Sequence, residues 1–510
     1  MDIITKPTIL GPLAVLLGWL AYQLFGPSNL PKLTVLGLRK GEWFPRIRAA
    51  WRNTMDFEGA LDVAYTKHRN EPVIVPLLTG TYVLLPASDT EFVAAAPDAQ
   101  LSAHKYMLEN FQLETTVVDP DIVRRPIHHQ LVNTTLTSQT GNLVPDILDE
   151  AAWGFDQCWG IDTEEWKEVP LFETMRRVVC GITNRAFVGL PVCRDEELVT
   201  SSLKYALSVP LSSILLKLLP RITKPFLVPL ITLPGRIWTN QFTNILKPTI
   251  ERRLKEFDAR RADPEANKSL GPVPNDYLQW SIAQAKDLGQ PDLYTPRKLA
   301  HRILFLNLPS IHTTSVNITS TLLDLVCRNK PEYIAEIRSE IVSVLAEHDG
   351  EWNKRSLGKM YKLDSTLREG GRFTPTVSLS RKVNNPSGVD LPSGVHVPYG
   401  ATVMVPGQSI MHDEAIYGPD AAEFKPFRFA EEESRKAYVR TSKDFLPFGH
   451  GKYACPGRFF AATELKVMLG YMILHYDFQI ETDRPKLNCF GINRMPPRDK
   501  TIKIRRREKA

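Results

Sequence analysis

Cysteine is scarce in this chain. Six occur in 510 residues, at 158, 180, 193, 327, 455 and 489, without the spacing of a disulfide framework. Dispersed free thiols suit a reducing compartment. No dense basic tract interleaved with aromatics occurs, and the net charge is only +6, which excludes nucleic acid as a partner class. No internal repeat is evident. What is present is 43% hydrophobic and 24% charged, the balance of a globular chain rather than a disordered one. Length alone suggests two to four domains, and one large fold is equally compatible. The mild basic excess suits an anionic membrane or an acidic redox partner as well as an ordinary solvated surface.

Charge is also missing locally. Residues 9–25 carry none, and Gln23 is the single strongly polar side chain among them. Seventeen such residues sit at the short end of what crosses a bilayer. Trp19 and Tyr22 stand near one end, as interface anchors do, and Lys32, Arg39, Lys40, Arg46 and Arg48 follow. No small-x-small cleavage site comes after the run, which argues against a signal peptide. The expectation is a membrane anchor and linker at 1–31, with the remainder at 32–510 on the cytosolic side.

Periodicity predicts helices over 57–68, 143–156, 171–187, 196–207, 238–257, 297–326 and 336–345. A hairpin is predicted around Thr79-Gly80, and late strands over 478–482 and 501–505. Residues 211–234 are apolar but broken by four prolines, which predicts a loop with short helices at a membrane surface or a buried core segment. His128 and His129 have no acidic or cysteine partner at ligand spacing and read as a solvated helix face. The fold class is mainly α with a minor β region.

Chemistry concentrates at residues 445–465. Cys455 sits among Gly449, Gly451 and Gly457, with Pro447 and Pro456 stiffening the approach and an apolar helix following. Helix-start N–H groups, Lys452 and Arg458 favour a thiolate there. No second cysteine or histidine lies at zinc-ligand spacing. A lone thiolate points to a cofactor that brings its own remaining ligands, and haem fits, with a buried structural cysteine as the alternative. The run Phe448, Gly451, Cys455, Gly457 resembles the haem-binding loop of the cytochrome P450 family, in particular fungal secondary-metabolite monooxygenases of terpenoid and steroid type.

The resemblance extends over nearly the whole chain and implies a cytochrome P450 fold with an N-terminal transmembrane helix. By it, Cys455 is the axial ligand of iron in haem b, iron protoporphyrin IX. Tyr453 stands where the family usually has a basic residue facing a haem propionate, and Arg381 is a second propionate position. The usual Trp-x-x-x-Arg is absent, with Arg124, Arg125, His128 and His129 as candidate replacements. His312, Thr313 and Thr314 occupy the oxygen-activating segment, with His312 at the position of the usual acid. Glu369 and Arg372 are similar to the Glu-x-x-Arg pair, joined by Arg428. Thr376, Val377, Ser378, Phe490 and Ile492 fall where the family lines its substrate pocket.

The implied activity is monooxygenation of a lipophilic secondary metabolite: a terpenoid, meroterpenoid, indole-diterpenoid or steroid. Implied partners are NADPH-cytochrome P450 reductase, cytochrome b5 as a second electron donor, and the endoplasmic reticulum membrane, spanned once. The alternatives are the same fold catalysing a rearrangement, dehydration or desaturation, and a catalytically silent haem or lipid carrier.

Overall fold

Apolar residues at helical spacing make most of this chain α-helical, with small sheets at its margins. The computed structural model describes residues 29–263, 265, 269–374 and 379–508. The expected anchor at 9–25 and the pocket positions Thr376, Val377 and Ser378 lie outside them. Among the described residues the longer helices, in chain order, are α1 (Val144–Trp159), α2 (Leu171–Val188), α3 (Glu196–Leu218), α4 (Lys224–Ala262), α5 (Pro296–Val326), α6 (Pro331–Ala346), α7 (Tyr361–Phe373) and α8 (Arg458–His475).

The centre is α5. Its start follows the usual rules: Thr295 accepts a hydrogen bond from the Lys298 N–H, and Pro296 occupies the first turn, where no N–H is needed. From Leu299 to Val326 almost every residue is buried, and the helix packs against α2, α3, α4, α7 and α8. A helix apolar all round belongs in a core. The exception is the middle, where Pro309 is exposed and Ser310, His312 and Thr313 are half-buried.

Helix α7 lies flush on α5 at Gly370, while the neighbouring Gly371 faces Tyr438 and Pro447. A Cβ on Gly370 would stand 2.1 Å from Thr321 Oγ1 of α5, and one on Gly371 would stand 3.1 Å from the Tyr438 ring. Each glycine costs about 1 kcal/mol in helix propensity; in return Gly370 leaves room for Thr321 of α5 and Gly371 for Tyr438 and Pro447.

The four prolines of 211–234 do not divide it as expected. There is one break, at Leu219–Thr223, and it contains Pro220. Pro225 falls in the first turn of α4, while Pro229 and Pro234 are carried inside it. An internal proline costs about 3 kcal/mol. Packing offsets this: α3 and α4 lie along each other, Gly235 lets them approach at Ser208, and Ser212 Oγ donates to the Ile231 carbonyl at 2.9 Å. The predicted helix over 238–257 is thus the second half of α4.

The main sheet runs Val73–Leu77, Gly80–Leu84, Thr402–Met404, Ser380–Val383, Leu101–Ser102. A smaller sheet joins Lys167–Pro170, Thr501–Arg506 and Tyr476–Phe478. The strand predicted over 478–482 begins at Tyr476 instead, because Ile504 pairs with Phe478 and Arg506 with Tyr476.

Candidate functional site

Behind the cysteine loop lies a buried ionic knot. The Arg372 guanidinium donates twice to Glu369, Nε to Oε2 and Nη2 to Oε1, both at 2.8 Å, and neither side chain has any exposed surface. Three residues apart on α7, they share a face. Arg428 Nε donates to Glu369 Oε1 at 3.2 Å, and the Lys425 N–H reaches the same oxygen at 3.0 Å. Arg372 Nη1 also donates to the carbonyls of Met411 (2.6 Å) and Ala421 (2.7 Å), tying α7 to the meander that leads into the cysteine loop.

Sequence reasoning missed Arg368, the residue immediately before Glu369. Its Nη1 donates to the Ala437 and Arg440 carbonyls, each at 2.9 Å, and its guanidinium lies 3.6 Å from the Phe445 ring centre. One turn before Arg372, it holds the far limb of the same meander. The available signal is a second arginine directly before the glutamate of Glu-x-x-Arg, with aromatics downstream.

The loop itself is set by backbone bonds. The Cys455 N–H donates to the Phe448 carbonyl at 2.8 Å, and the Gly449 N–H to Leu446 at 2.9 Å. Gly451 is at φ +74°, and a Cβ there would meet the Ala94 carbonyl oxygen at 2.6 Å, so only glycine lets the helix Thr90–Ala95 rest on the turn. The Phe448 ring packs 4.9 Å from Tyr438. Arg458 opens α8 and donates to the Cys455 carbonyl at 2.9 Å.

Burial is the largest influence on the Cys455 thiol and pushes it up; the Gly457 and Arg458 N–H groups and the Arg458 charge pull it down. The expected helix-start N–H groups and Arg458 are in place, Lys452 lies over the Tyr453 ring instead, and desolvation outweighs the groups that favour a thiolate. Cys455 is free of any disulfide and only half-buried by surface, although protein surrounds it deeply. Both hold when the sulfur faces an interior cavity. A Cβ on the adjacent Gly457 would meet nothing within 4 Å.

Arg381 stands on the strand Ser380–Val383, 5% exposed, with its guanidinium 5.6 Å from the Tyr453 ring centre. Its Nη1 donates to the Ser380 carbonyl, while Nε and Nη2 are buried with no hydrogen-bond partner. A buried unpaired cation edge is costly and fits an incoming carboxylate.

The candidate replacements separate clearly. Arg124 pairs with Glu114, and Arg125 with Asp121 and Asp292, both at the exterior. The solvated-face reading of the histidines is corrected for His128, which is 1% exposed and packs edge-on against Phe305 of α5. Neither of its ring nitrogens has a partner, and burial holds it well below the ordinary histidine range. His129, 4.6 Å from it ring to ring, is crowded yet surface-accessible, as on a concave wall.

On α5, Thr313 Oγ1 donates to the Pro309 carbonyl at 2.7 Å, and Ser315 Oγ to Ile311 at 2.6 Å. Thr314 is buried. His312 is held down at about 4 by burial, then by the charges of Arg176 and Arg498. Accessible surface in the middle of an otherwise buried helix lines a cavity, and α5 packs on α8, which the cysteine loop opens. Ile492 goes elsewhere: with Phe490 it flanks the hairpin turn at Gly491, whose N–H donates to Thr54, and it packs on the cluster around Leu36, Phe57 and Tyr82.

Among the described residues no group of His, Cys, Asp or Glu side chains could chelate a metal ion unaided. A sulfur facing open space, a buried guanidinium edge lacking its anion and a wall with proton-handling side chains together fit an iron-bearing ring with carboxylate arms.

Comparison with known proteins points the same way. The sequence profile described as Cytochrome P450 matches residues 88–502. The chain is 30% identical over 499 residues to Cytochrome P450 monooxygenase gloP of Glarea lozoyensis, covering 92% of this chain and 90% of that one. It is 32% identical to Cytochrome P450 monooxygenase 71 of Postia placenta, covering 90% of each. With Cytochrome P450 monooxygenase olcJ of Penicillium canescens it shares 32% identity, over 79% of this chain and 75% of the relative.

Proposed function

This chain belongs to the cytochrome P450 family, and we propose that it is a haem-thiolate monooxygenase oxidising a lipophilic terpenoid, meroterpenoid, indole-diterpenoid or steroid. The observation that carries the reading is Cys455: a lone, half-buried thiol on a glycine-built loop, with the Gly457 and Arg458 N–H groups directed at its sulfur. Cys455 would hold the iron, and Arg381 with Tyr453 the carboxylate edge. Bound there, haem supplies reductive activation of dioxygen and insertion of one oxygen atom into a C–H bond.

The protein supplies the rest. Thr313 points its hydroxyl proton at Pro309 O, which leaves its oxygen lone pairs free to accept a hydrogen bond from the cavity side. The neutral His312 imidazole has one donor and one acceptor nitrogen and can take a proton on one as it gives one from the other. Electrons come from NADPH-cytochrome P450 reductase, with cytochrome b5 as a second donor.

The enzyme works at the endoplasmic reticulum membrane, catalytic domain cytosolic, held by residues 9–25 and by an apolar face of α3 and α4. Leu211, Leu215, Phe226 and Leu230 are exposed on those helices and Ile222 on the break between them, Phe226 to 81%. By length and hydropathy α3 could cross a bilayer, but it packs against α2, α4 and α5 and has only one side to offer. A fluorophore on Phe226→Cys should shift to the blue and be quenched by spin-labelled lipid in nanodiscs. The same emission from Phe226→Cys and from a probe on exposed Leu288→Cys would remove the docking face.

The reaction is tested with reductase, NADPH, a panel of such scaffolds and isotopically heavy dioxygen. One heavy oxygen atom per product is the expected result. Product without label would turn the assignment to rearrangement or dehydration, and failure to consume NADPH with any scaffold would favour the silent carrier.

A further inference from the structure

We propose that the cavity between the main sheet and the carboxyl end of α3 binds the phosphodiester headgroup of an inositol phospholipid, with Lys217 and Lys382 as its anion-binding residues. The proposal rests on the membrane reading of this chain and adds to it one class of lipid.

The cavity holds about 460 Å³, inside the range of small-ligand sites, about 300–1,000 Å³. It is a different site from the one around Cys455. Side chains alternate along a strand, so Arg381, beside Tyr453, and Lys382 point to opposite faces of the sheet. Lys382 is paired across the sheet with Thr402, and Thr402 with Tyr82. Lys382, Thr402 and Tyr82 all line the cavity.

Three charged side chains line it, Lys217, Lys382 and Glu109, which leaves one positive charge in excess. Lys382 Nζ takes the carboxylate, at 2.6 Å from Glu109 Oε2. Lys217 has none: its Nζ donates to the neutral Asn110 Oδ1 at 2.8 Å. One turn earlier on α3, Ser213 Oγ donates to the Asn110 carbonyl at 2.7 Å. The end of the helix Ala103–Asn110 is thereby fixed against α3, and the ammonium is fixed with it. Burial, and after it the charge of Lys382, lowers Lys217 to about 8. Two ammonium groups that share one carboxylate in a partly desolvated cavity are relieved by one further anion.

A phosphodiester brings that single charge and accepts from point-like ammonium donors. Thr79, Thr81, Tyr82, Asn110, Gln112 and Thr402 supply hydroxyl and amide groups to the lining, which suit a polyol esterified to the phosphate. Two features favour a lipid over a free polyol phosphate. Lys217 lies between Leu215 and Leu218, both exposed on α3, so acyl chains leaving the cavity meet apolar surface. Asn29 also lines the cavity, and the four steps of chain back to Phe25, where the uncharged run ends, span at most about 14 Å. A cavity tied that closely to a bilayer-entering run sits at headgroup depth.

The test is native mass spectrometry of the full-length, haem-loaded protein in detergent, titrated with dioctanoyl lipids. Phosphatidylinositol should bind one to one, about tenfold or more tighter than zwitterionic phosphatidylcholine. Lys217→Met and Lys382→Met should each lose about tenfold in that affinity. Lys217→Arg should retain it, and Lys359→Met, on the exposed side of a distant helix, should not change it. Glu109→Gln removes the competing anion and should tighten binding, which a purely structural role for the lysines does not predict. Between about pH 7 and about pH 9 the affinity should fall in wild type as Lys217 loses its proton, and stay level in Lys217→Arg. The phosphodiester keeps its charge over that range. Around Lys217 the other titratable groups are Lys382, Glu109, Lys105 and the phenols of Tyr82, Tyr106 and Tyr399.

Equal binding of phosphatidylinositol and phosphatidylcholine overturns the site, as does full affinity in both lysine-to-methionine variants. Phosphatidylglycerol, of the same charge with a smaller polyol, bound as tightly would overturn the inositol assignment. Glycerophosphoinositol, the same headgroup without acyl chains, bound as tightly would overturn the lipid assignment. Should the lysine variants fold poorly, Glu109→Gln, 46% exposed, carries the decision: looser or unchanged binding there overturns the site. Failure of the membrane reading would show separately, as a Phe226→Cys probe that spin-labelled lipid does not quench.

Discussion

Cys455→Ser should bind haem without the red-shifted Soret band of the ferrous carbon monoxide complex that gives the family its name, and product formation should fall below detection. The substitution changes one atom and almost no volume. The Cys455 N–H still donates to Phe448, Arg458 still holds the Cys455 carbonyl, and α8 still begins at Arg458. What is lost is an anion. A thiol buried beside the N–H groups of Gly457 and Arg458 ionises against a metal cation at neutral pH; a serine hydroxyl does not. The electron push that thiolate lends to iron goes with it. The fold should persist, with a melting temperature close to wild type. Cys489→Ser, on the hairpin that packs near Thr54, should leave the band untouched. A band retained in Cys455→Ser would mean that iron binds another atom, and the oxygenase assignment would fall with it.

Much of this site is local in the chain and so readable in it. The cysteine loop depends on glycines within a few residues of the sulfur, and Glu369 with Arg372 on one helical turn. What could not be read depends on partners far away in sequence. His128 looks like one of two polar histidines on a surface helix until Phe305, from α5, is laid over it. Residues 211–234 look broken because proline propensity is a local rule, and their continuity comes from the packing of α3 on α4. Gly370 looks like a weak point in α7 until Thr321 is found where a methyl group would have to go. Arg381 could be placed near a carboxylate by resemblance, but the two partnerless nitrogens that make it a receptor are a property of the folded strand and its surroundings.

Glu369→Ala should destabilise the protein by about 3–5 kcal/mol, against a total for a domain of about 5–15 kcal/mol. The pair is buried, so its worth does not lie in the attraction itself, which desolvation largely offsets. It lies in what each partner leaves behind. Without Glu369, Arg372 is a fully buried cation whose remaining acceptors are the Met411, Ala421 and Glu423 carbonyls, and Arg428 keeps only Asp420 as a carboxylate partner. Because Arg372 grips both ends of the stretch from Met411 to Glu423, loss of its orientation should loosen the meander and then the cysteine loop. Haem retention should therefore fall at temperatures where the helices are still folded, measured by Soret absorbance against far-ultraviolet circular dichroism. The double change Glu369→Leu with Arg372→Met should be milder than Glu369→Ala alone, since it removes the orphaned charge along with its partner. Glu369→Ala with unchanged melting and haem retention would show that the meander is held by Arg368 and the aromatic packing alone, and that the knot is dispensable.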